Sequence, residues 1–312
     1  MFPPSIKTSP LTWRKSTLAT LVAIGLTGCA SNESIDLVGE YAKQSTQVQE
    51  ALLDVYDSAD EAHLSAQLVM AARDGVIGKG LDIATIDNAG QEALINDLQR
   101  FSQSLYLLAT DDRSEELDKY SAKLNASLVS ISDNPQLEGI DKGDVELLTT
   151  SVNALARAYT ERKRYALLKQ IVIDSEAIVQ RAFQSLEGEL NAWKGVTRVS
   201  LRKELNIRLY LLNNPNRCES SDDRRCVTFS HSLEERVEAY KKAYEIRVRL
   251  NDLDAKYTQL EQALQAMQTL NRAVVASLQS DDDLTIDAAK KALKSTKVQI
   301  DAIKDYRSNL KD

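Results

Sequence analysis

Turn-forming residues are scarce. Three of the five prolines fall within the first ten residues, leaving Pro135 and Pro215 for the rest of the 312-residue chain, and no glycine follows Gly195. An all-β chain could not make its turns with so little turn chemistry, so the sequence is expected to be all-α. Aromatic residues make up 5%, while Ala, Leu, Gln, Lys, Glu and Asp dominate, a composition of long helices more than of sheets. Histidine occurs only as His63 and His231, and cysteine only as Cys29, Cys218 and Cys226. Neither set gives a zinc spacing, because C-x7-C has no second pair beside it, so no metal and no cofactor is expected. The chain has no H-E-x-x-H or G-x-S-x-G motif, and no phosphate-binding glycine loop or S-x-x-K nucleophile in a suitable setting. It is therefore expected not to be an enzyme. No apolar run approaches the roughly 20 residues that a membrane-spanning helix needs.

The one compact apolar run is Leu18–Leu26, nine residues preceded by Lys7, Arg14 and Lys15 and by no acidic residue at all. A cationic leader followed by a short apolar core fits a secretory signal. The run ends in Leu26-Thr27-Gly28-Cys29, which resembles the lipobox of bacterial lipoproteins, a small residue followed by the modified cysteine. The resemblance covers only these few residues. It implies that residues 1–28 are removed, that Cys29 carries a thioether-linked diacylglycerol, and that its freed amine is acylated. Ala30 and Ser31 follow where an aspartate would favour retention at the inner membrane, so the outer membrane is expected, with the body facing the periplasm. Three acyl chains on one residue make a durable anchor where one would not. Residues 29–34 are expected to serve as a lipidated tether, with Ala30–Ser34 spanning at most about 17 Å.

Without the three leader cations, 36 of the 39 Lys+Arg remain against 46 Asp+Glu, a formal charge of −10. Such a balance excludes nucleic acid as a natural partner and gives no help in binding anionic lipid through the body.

Helical periodicity divides the remainder into an N-terminal helical part, 35–143, and a long hairpin plus a C-terminal helix, 144–312. The first part is expected to hold helices over 35–73, from near Thr85 or Asp87 to Thr110, and over 114–130 with Ser114 ahead of Glu115 and Glu116. Val48, Leu52, Val55, Ala59 and Ala62 mark one face of the first, with His63 beside it as a structural imidazole. The second is expected to bury Leu94, Leu98, Phe101, Leu105 and Leu108. From Asp144 to Asn213 the period continues unbroken, which reads as one helix on the order of 100 Å long with candidate kinks at Gly188 and Gly195. Over 239–267, Ala239, Ala243, Ile246, Leu250, Leu253, Tyr257, Leu260, Leu264 and Met267 alternate steps of four and three, a coiled-coil seam. Its simplest partner is the preceding helix folded back antiparallel. An ordinary bundle, or a homo-oligomer through the same seam, would also bury it. A last helix, capped by Thr285 or Asp287, is expected to bury Leu293, Val298, Ile300 and Ile303.

The connector 214–231 carries Cys218 and Cys226, an even pair once Cys29 is lipidated, and an oxidising periplasm would close it into a disulfide. Arg217, Glu219, Asp222, Asp223, Arg224 and Arg225 surround the pair. They read first as solvated charge on a tied-off connection, and alternatively as a partner-binding loop pre-ordered by the bridge. The basic clusters 161–165 and Lys194/Arg198/Arg202 read as solvated or paired helix faces. Together these features suggest a non-enzymatic, lipid-anchored envelope protein that binds or scaffolds another envelope protein, with a secretion, efflux or assembly system as one expected setting. The alternative is a periplasmic immunity or inhibitor protein whose acidity suits a cationic toxin or lytic enzyme.

Overall fold

A computed structural model describes residues 19–74, 83, 85–110, 116–137, 142–155, 161–213, 232–280 and 282–309, with side chains left aside at 19–32, 142–147, 161 and 305–309. The chain is all-α, and the described residues form α1 (Ala19–Asp74), α2 (Ala89–Thr110), α3 (Leu117–Ser132), α4 (Lys142–Leu155), α5 (Glu161–Asp174), α6 (Glu176–Asn213), α7 (Leu233–Ser280) and α8 (Asp283–Asn309).

Helix α1 is the axis of the bundle. From Ser34 to Ala62 its exposed positions are Asp36, Glu40, Lys43, Glu50, Asp57 and Glu61, a single stripe at heptad-like spacing. Every other position is at least half-buried, because α2, α6, α7 and α8 close around it. Small residues permit the close approach: a Cβ at Gly39 would stand 3.3 Å from Thr110 Cγ2 on α2, and Ala42, Ala59 and Ala62 are fully buried. One apolar core runs from Ile35 to Ile303, so 35–143 and 144–312 contribute to the same interior.

Polar contacts fix the direction of each neighbour. Helix α2 runs antiparallel to α1, with Asn88 Nδ2 donating to Asp60 Oδ2 at 2.9 Å and Gln49 Nε2 donating to Ser102 Oγ at 3.2 Å. Helix α6 runs parallel to α1: the Tyr56 ring meets Trp193 edge-on at 4.4 Å, and further along Ala62 joins Leu201 and Leu205. Helix α7 returns antiparallel to α6 through successive rungs. Gln180 Nε2 donates to Gln268 Oε1 at 3.0 Å, Gln265 Nε2 to Glu187 Oε1 at 2.8 Å, and Thr197 and Tyr257 share a 3.1 Å hydrogen bond. Beyond them Arg198 pairs with Asp254, with Lys194 at 3.7 Å from the same carboxylate. The expected antiparallel hairpin is thus present, and its seam from Ala243 to Met267 is covered by helices of the same chain.

Several expectations are corrected. The stretch 144–213 is not one helix. It is divided into α4, α5 and α6, and the α5–α6 break falls at Ser175, whose buried hydroxyl donates to the Val172 carbonyl at 3.2 Å. Serine bonding back to its own helix bends it there. Helix α6 instead passes through Gly188 and Gly195 without interruption. The first helix starts ahead of the expected residue 35, since its backbone is helical from Ala19 through Gly25, Gly28 and residues 29–34. Asn88 precedes α2 in place of Thr85 or Asp87, and Asp282 caps α8 in place of Thr285 or Asp287, accepting from Leu284 N at 3.3 Å. Helix α3 begins at Leu117, and Ser114 lies outside the described residues. Val298 is 58% exposed because Thr296, fully buried, occupies the inward position between Leu293 and Ile300.

Two predictions follow from burial. An added Cβ at Gly188 or Gly195 meets nothing within 4 Å, so replacement by alanine is expected to stabilise the chain by about 0.5–1 kcal/mol each. Thermal melting should register this as a rise of about 1–3 °C per substitution. Tyr41 and Tyr56 are buried, their hydroxyls have no hydrogen-bond partner among the described residues, and burial raises both phenol pKa values well above the ordinary range. A phenol raised in the folded state contributes stability that is full below the unfolded value near 10 and is lost as pH rises further. Tyr41→Phe is therefore expected to cost nothing at pH 7 and to flatten the loss of stability above pH 10 in denaturant titrations.

Candidate interaction site

The register places the two ends of α1 in different company. At its N-terminal end, Glu33 pairs with Lys290 and Gln44 Nε2 donates to the Leu293 carbonyl at 3.2 Å, so the start of α8 stands beside the segment leading from Cys29. Cys29 itself lies on helical backbone of α1. At the C-terminal end, beyond the start of α2, Ala62, Leu201, Leu205, Ala243 and Ile246 form a second small core shared by α1, α6 and α7. From Cys29 to Asp74 the axis measures about 68 Å at 1.5 Å per residue.

Exposed apolar side chains are most frequent toward the distal end, although Leu284 and Val298 on α8 are exposed as well. Helix α7 opens with a capping box that sequence reading passed over, although Ser232-x-x-Glu235 signals it. Ser232 N donates to Glu235 Oε2 at 2.8 Å, and Glu235 N to Ser232 Oγ at 3.2 Å. With its first turn satisfied by its own side chains, the helix continues past the body of the bundle. Its buried face there is Ala243, Ile246 and half-buried Leu250. A different face carries Leu233, Val237, Tyr240 and Tyr244, which are 71%, 47%, 46% and 69% exposed. Their spacing of four, three and four residues repeats the geometry of a helix-packing seam. By helical position Arg236 borders one edge of this stripe and Lys241 and Glu234 the other, with Glu238 and Glu245 beyond them, and Arg247 stands where the stripe would continue. Among the described residues, Arg236, Lys241 and Arg247 are not in ion pairs.

Elsewhere charge is consumed structurally. Lys194 and Arg198 converge on Asp254, as the paired-face reading expects, and Arg164 is buried with its guanidinium 5.1 Å from the Tyr165 ring centre. His63 is half-buried near Asp60, whose pKa is raised by burial against the lowering effect of its Asn88 hydrogen bond. Asn88 also donates to Glu92, so this cluster ties the start of α2 to α1. Between α1 and α7 a cavity of about 20 Å³, room for one water, is lined by Asp54, Lys256 and Gln259 with apolar neighbours. Burial and nearby Arg249 lower the Lys256 pKa. No group of three or more His, Cys, Asp or Glu side chains among the described residues could hold a metal. No helix there is long and apolar enough to cross a membrane.

Of the residues singled out in the sequence, Cys218, Cys226, Arg217, Glu219, Asp222, Asp223, Arg224 and Arg225 lie outside the described residues, as does His231. The connector they occupy leaves α6 at Asn213 and returns at Ser232, next to the exposed stripe. The fold thus defines an all-α bundle organised around one helix. Comparison with protein-family models, curated proteins and solved structures finds no match to this chain.

The capping box has a measurable role. Ser232→Ala is expected to cost the first turn of α7 about 1 kcal/mol. Because that turn stands outside the core, amide exchange over 234–238 should accelerate roughly fivefold while the melting temperature stays unchanged.

Proposed function

We propose that this chain is a lipid-anchored, non-enzymatic binding or scaffolding protein of the bacterial envelope. Cys29 is acylated, the outer membrane holds the anchor, and the body faces the periplasm. The observation that carries the reading is the N-terminal signature: a cationic leader, a nine-residue apolar core and Leu26-Thr27-Gly28-Cys29. The arrangement of the helices is compatible with it. An anchor at one end of α1 and exposed apolar side chains near the other would hold a binding surface away from the bilayer. Continuous helical backbone from Cys29 to Ile35 would set the body about 9 Å from the modified residue. In this reading Cys218 and Cys226 form a disulfide that closes the connector. The seam over 239–267 is already filled within one chain, so the partner is taken to be another envelope protein reached through a different face.

The test is acylation itself. Mass spectrometry of the mature N-terminus should show a triacylated Cys29, and Cys29→Ala should accumulate as an unprocessed, mislocalised precursor. Normal processing and membrane fractionation of Cys29→Ala would overturn the lipoprotein reading.

A further inference from the structure

Helix α7 has two apolar faces at its N-terminal end where the bundle uses only one. Ala243 and Ile246 are buried against α1 and α6. Leu233, Val237, Tyr240 and Tyr244 project from another side, and in heptad terms they occupy successive d, a, d and a positions over three turns, about 17 Å. Leaving Leu233 and Tyr244 each about 70% exposed forgoes burial worth roughly 25 cal/mol per Å² of apolar surface. An exposed heptad stripe of this kind suits a helix lying in register along it.

The bordering charges indicate which helix. In a parallel or antiparallel helix pair, the residues beside the seam meet those beside the partner's seam and decide pairing by sign. Here those positions are Glu234, Arg236 and Lys241, the fourth being Ala243, which is buried against the bundle, while Arg247 continues the line of the seam itself. Acids and bases balance over 233–247 as a whole, but at the flanking positions themselves two cations stand against one acid, in a chain whose total charge is −7. Two copies anchored in one membrane would meet in parallel, bringing Arg236 of each opposite Lys241 of the other, a like-charge juxtaposition that disfavours self-pairing. A seam bordered by Glu or Asp would instead meet opposite charge.

We propose that the Leu233–Val237–Tyr240–Tyr244 face of α7 is a docking seam for an amphipathic helix of a partner protein whose apolar stripe is flanked by acidic residues. This deepens the binding function proposed above and names its site. Tyr240 and Tyr244 supply broad contact area with few rotatable bonds, Leu233 and Val237 extend it toward the tip, and Arg236 and Lys241 select the acidic partner.

The test uses the full chain in nanodiscs of zwitterionic lipid and two synthetic 28-residue helical peptides with identical apolar a and d positions. One carries Glu and the other Lys at every e and g position. The Glu-flanked peptide is expected to bind at least tenfold more tightly than the Lys-flanked one. Arg236→Glu/Lys241→Glu should reverse that order, and Tyr240→Ala/Tyr244→Ala should weaken binding at least tenfold. All four side chains are exposed, so circular dichroism should show every variant folded. Equal binding of both peptides, absence of binding, or failure of the reversal would overturn the proposal. So would a dimer in analytical ultracentrifugation that Tyr244→Ala dissolves, which would give the face to a second copy. Capture by phosphatidylglycerol vesicles that depends on the same residues would give it to a lipid surface and overturn it equally. Acylation of Cys29 is read separately: peptide failure with an acylated Cys29 removes this site alone, while peptide binding without acylation removes the anchor alone.

Discussion

The arrangement depends on the burial of α1 on nearly all sides. A surface helix hides one stripe and shows the rest, whereas α1 between Ser34 and Ala62 shows one narrow stripe and hides the rest. That inversion requires several neighbouring helices at once, supplied by α2 and α7 running antiparallel to α1 and α6 and α8 running parallel to it. Alanines and Gly39 let the neighbours approach, while Tyr41, Tyr56 and Leu52 fill the space between them.

Burying so much of one helix brings polar groups inside, and these set register. Gln49 is fully buried and its amide donates to Ser45 Oγ at 2.8 Å as well as to Ser102 on α2, while the two serine hydroxyls bond each other at 2.9 Å. Sliding α2 by one turn would strand these groups in the interior, at a cost of about 1–3 kcal/mol for each lost partner. Asp97 does comparable work between α2 and α3, accepting from Ser130 Oγ at 2.5 Å while pairing with Arg100. The apolar core supplies most of the driving force, and these contacts choose among the ways of packing it.

The helical class, the antiparallel hairpin and its seam were legible in the sequence because each rests on periodicity and on the shortage of turn residues. The nearly complete burial of α1 was not, since Gln44, Ser45 and Gln49 interrupt the apolar pattern and make a second buried face look like solvent. The break at Ser175 escaped for a related reason: the apolar period carries straight across it, and the bend comes from one hydroxyl. Gly188 and Gly195 read as weak points, yet both lie on the solvent side of α6, and buried Leu186, Leu190, Trp193 and Thr197 keep the helix continuous there. The distal stripe on α7 was masked by its neighbour, because Leu233, Val237, Tyr240 and Tyr244 interleave with Ala239, Ala243 and Ile246, and only the second set continues as a long seam.

The proposed anchor and the proposed docking face would stand at opposite ends of α1, and that separation gives the proposed function its geometry. The most direct measurement is the distance between spin labels introduced as unnatural amino acids at exposed Glu40 on α1 and exposed Lys241 on α7. Residues near Val55 and Lys256 line a common cavity and Arg249 Nη2 lies 3.5 Å from the Ser58 carbonyl, so the antiparallel register puts Lys241 about 28 residues of helix beyond Glu40. A single narrow distribution centred at about 40–50 Å is the expected result. A distance near 20 Å, with the start of α7 lying beside the anchored end of α1, would contradict it.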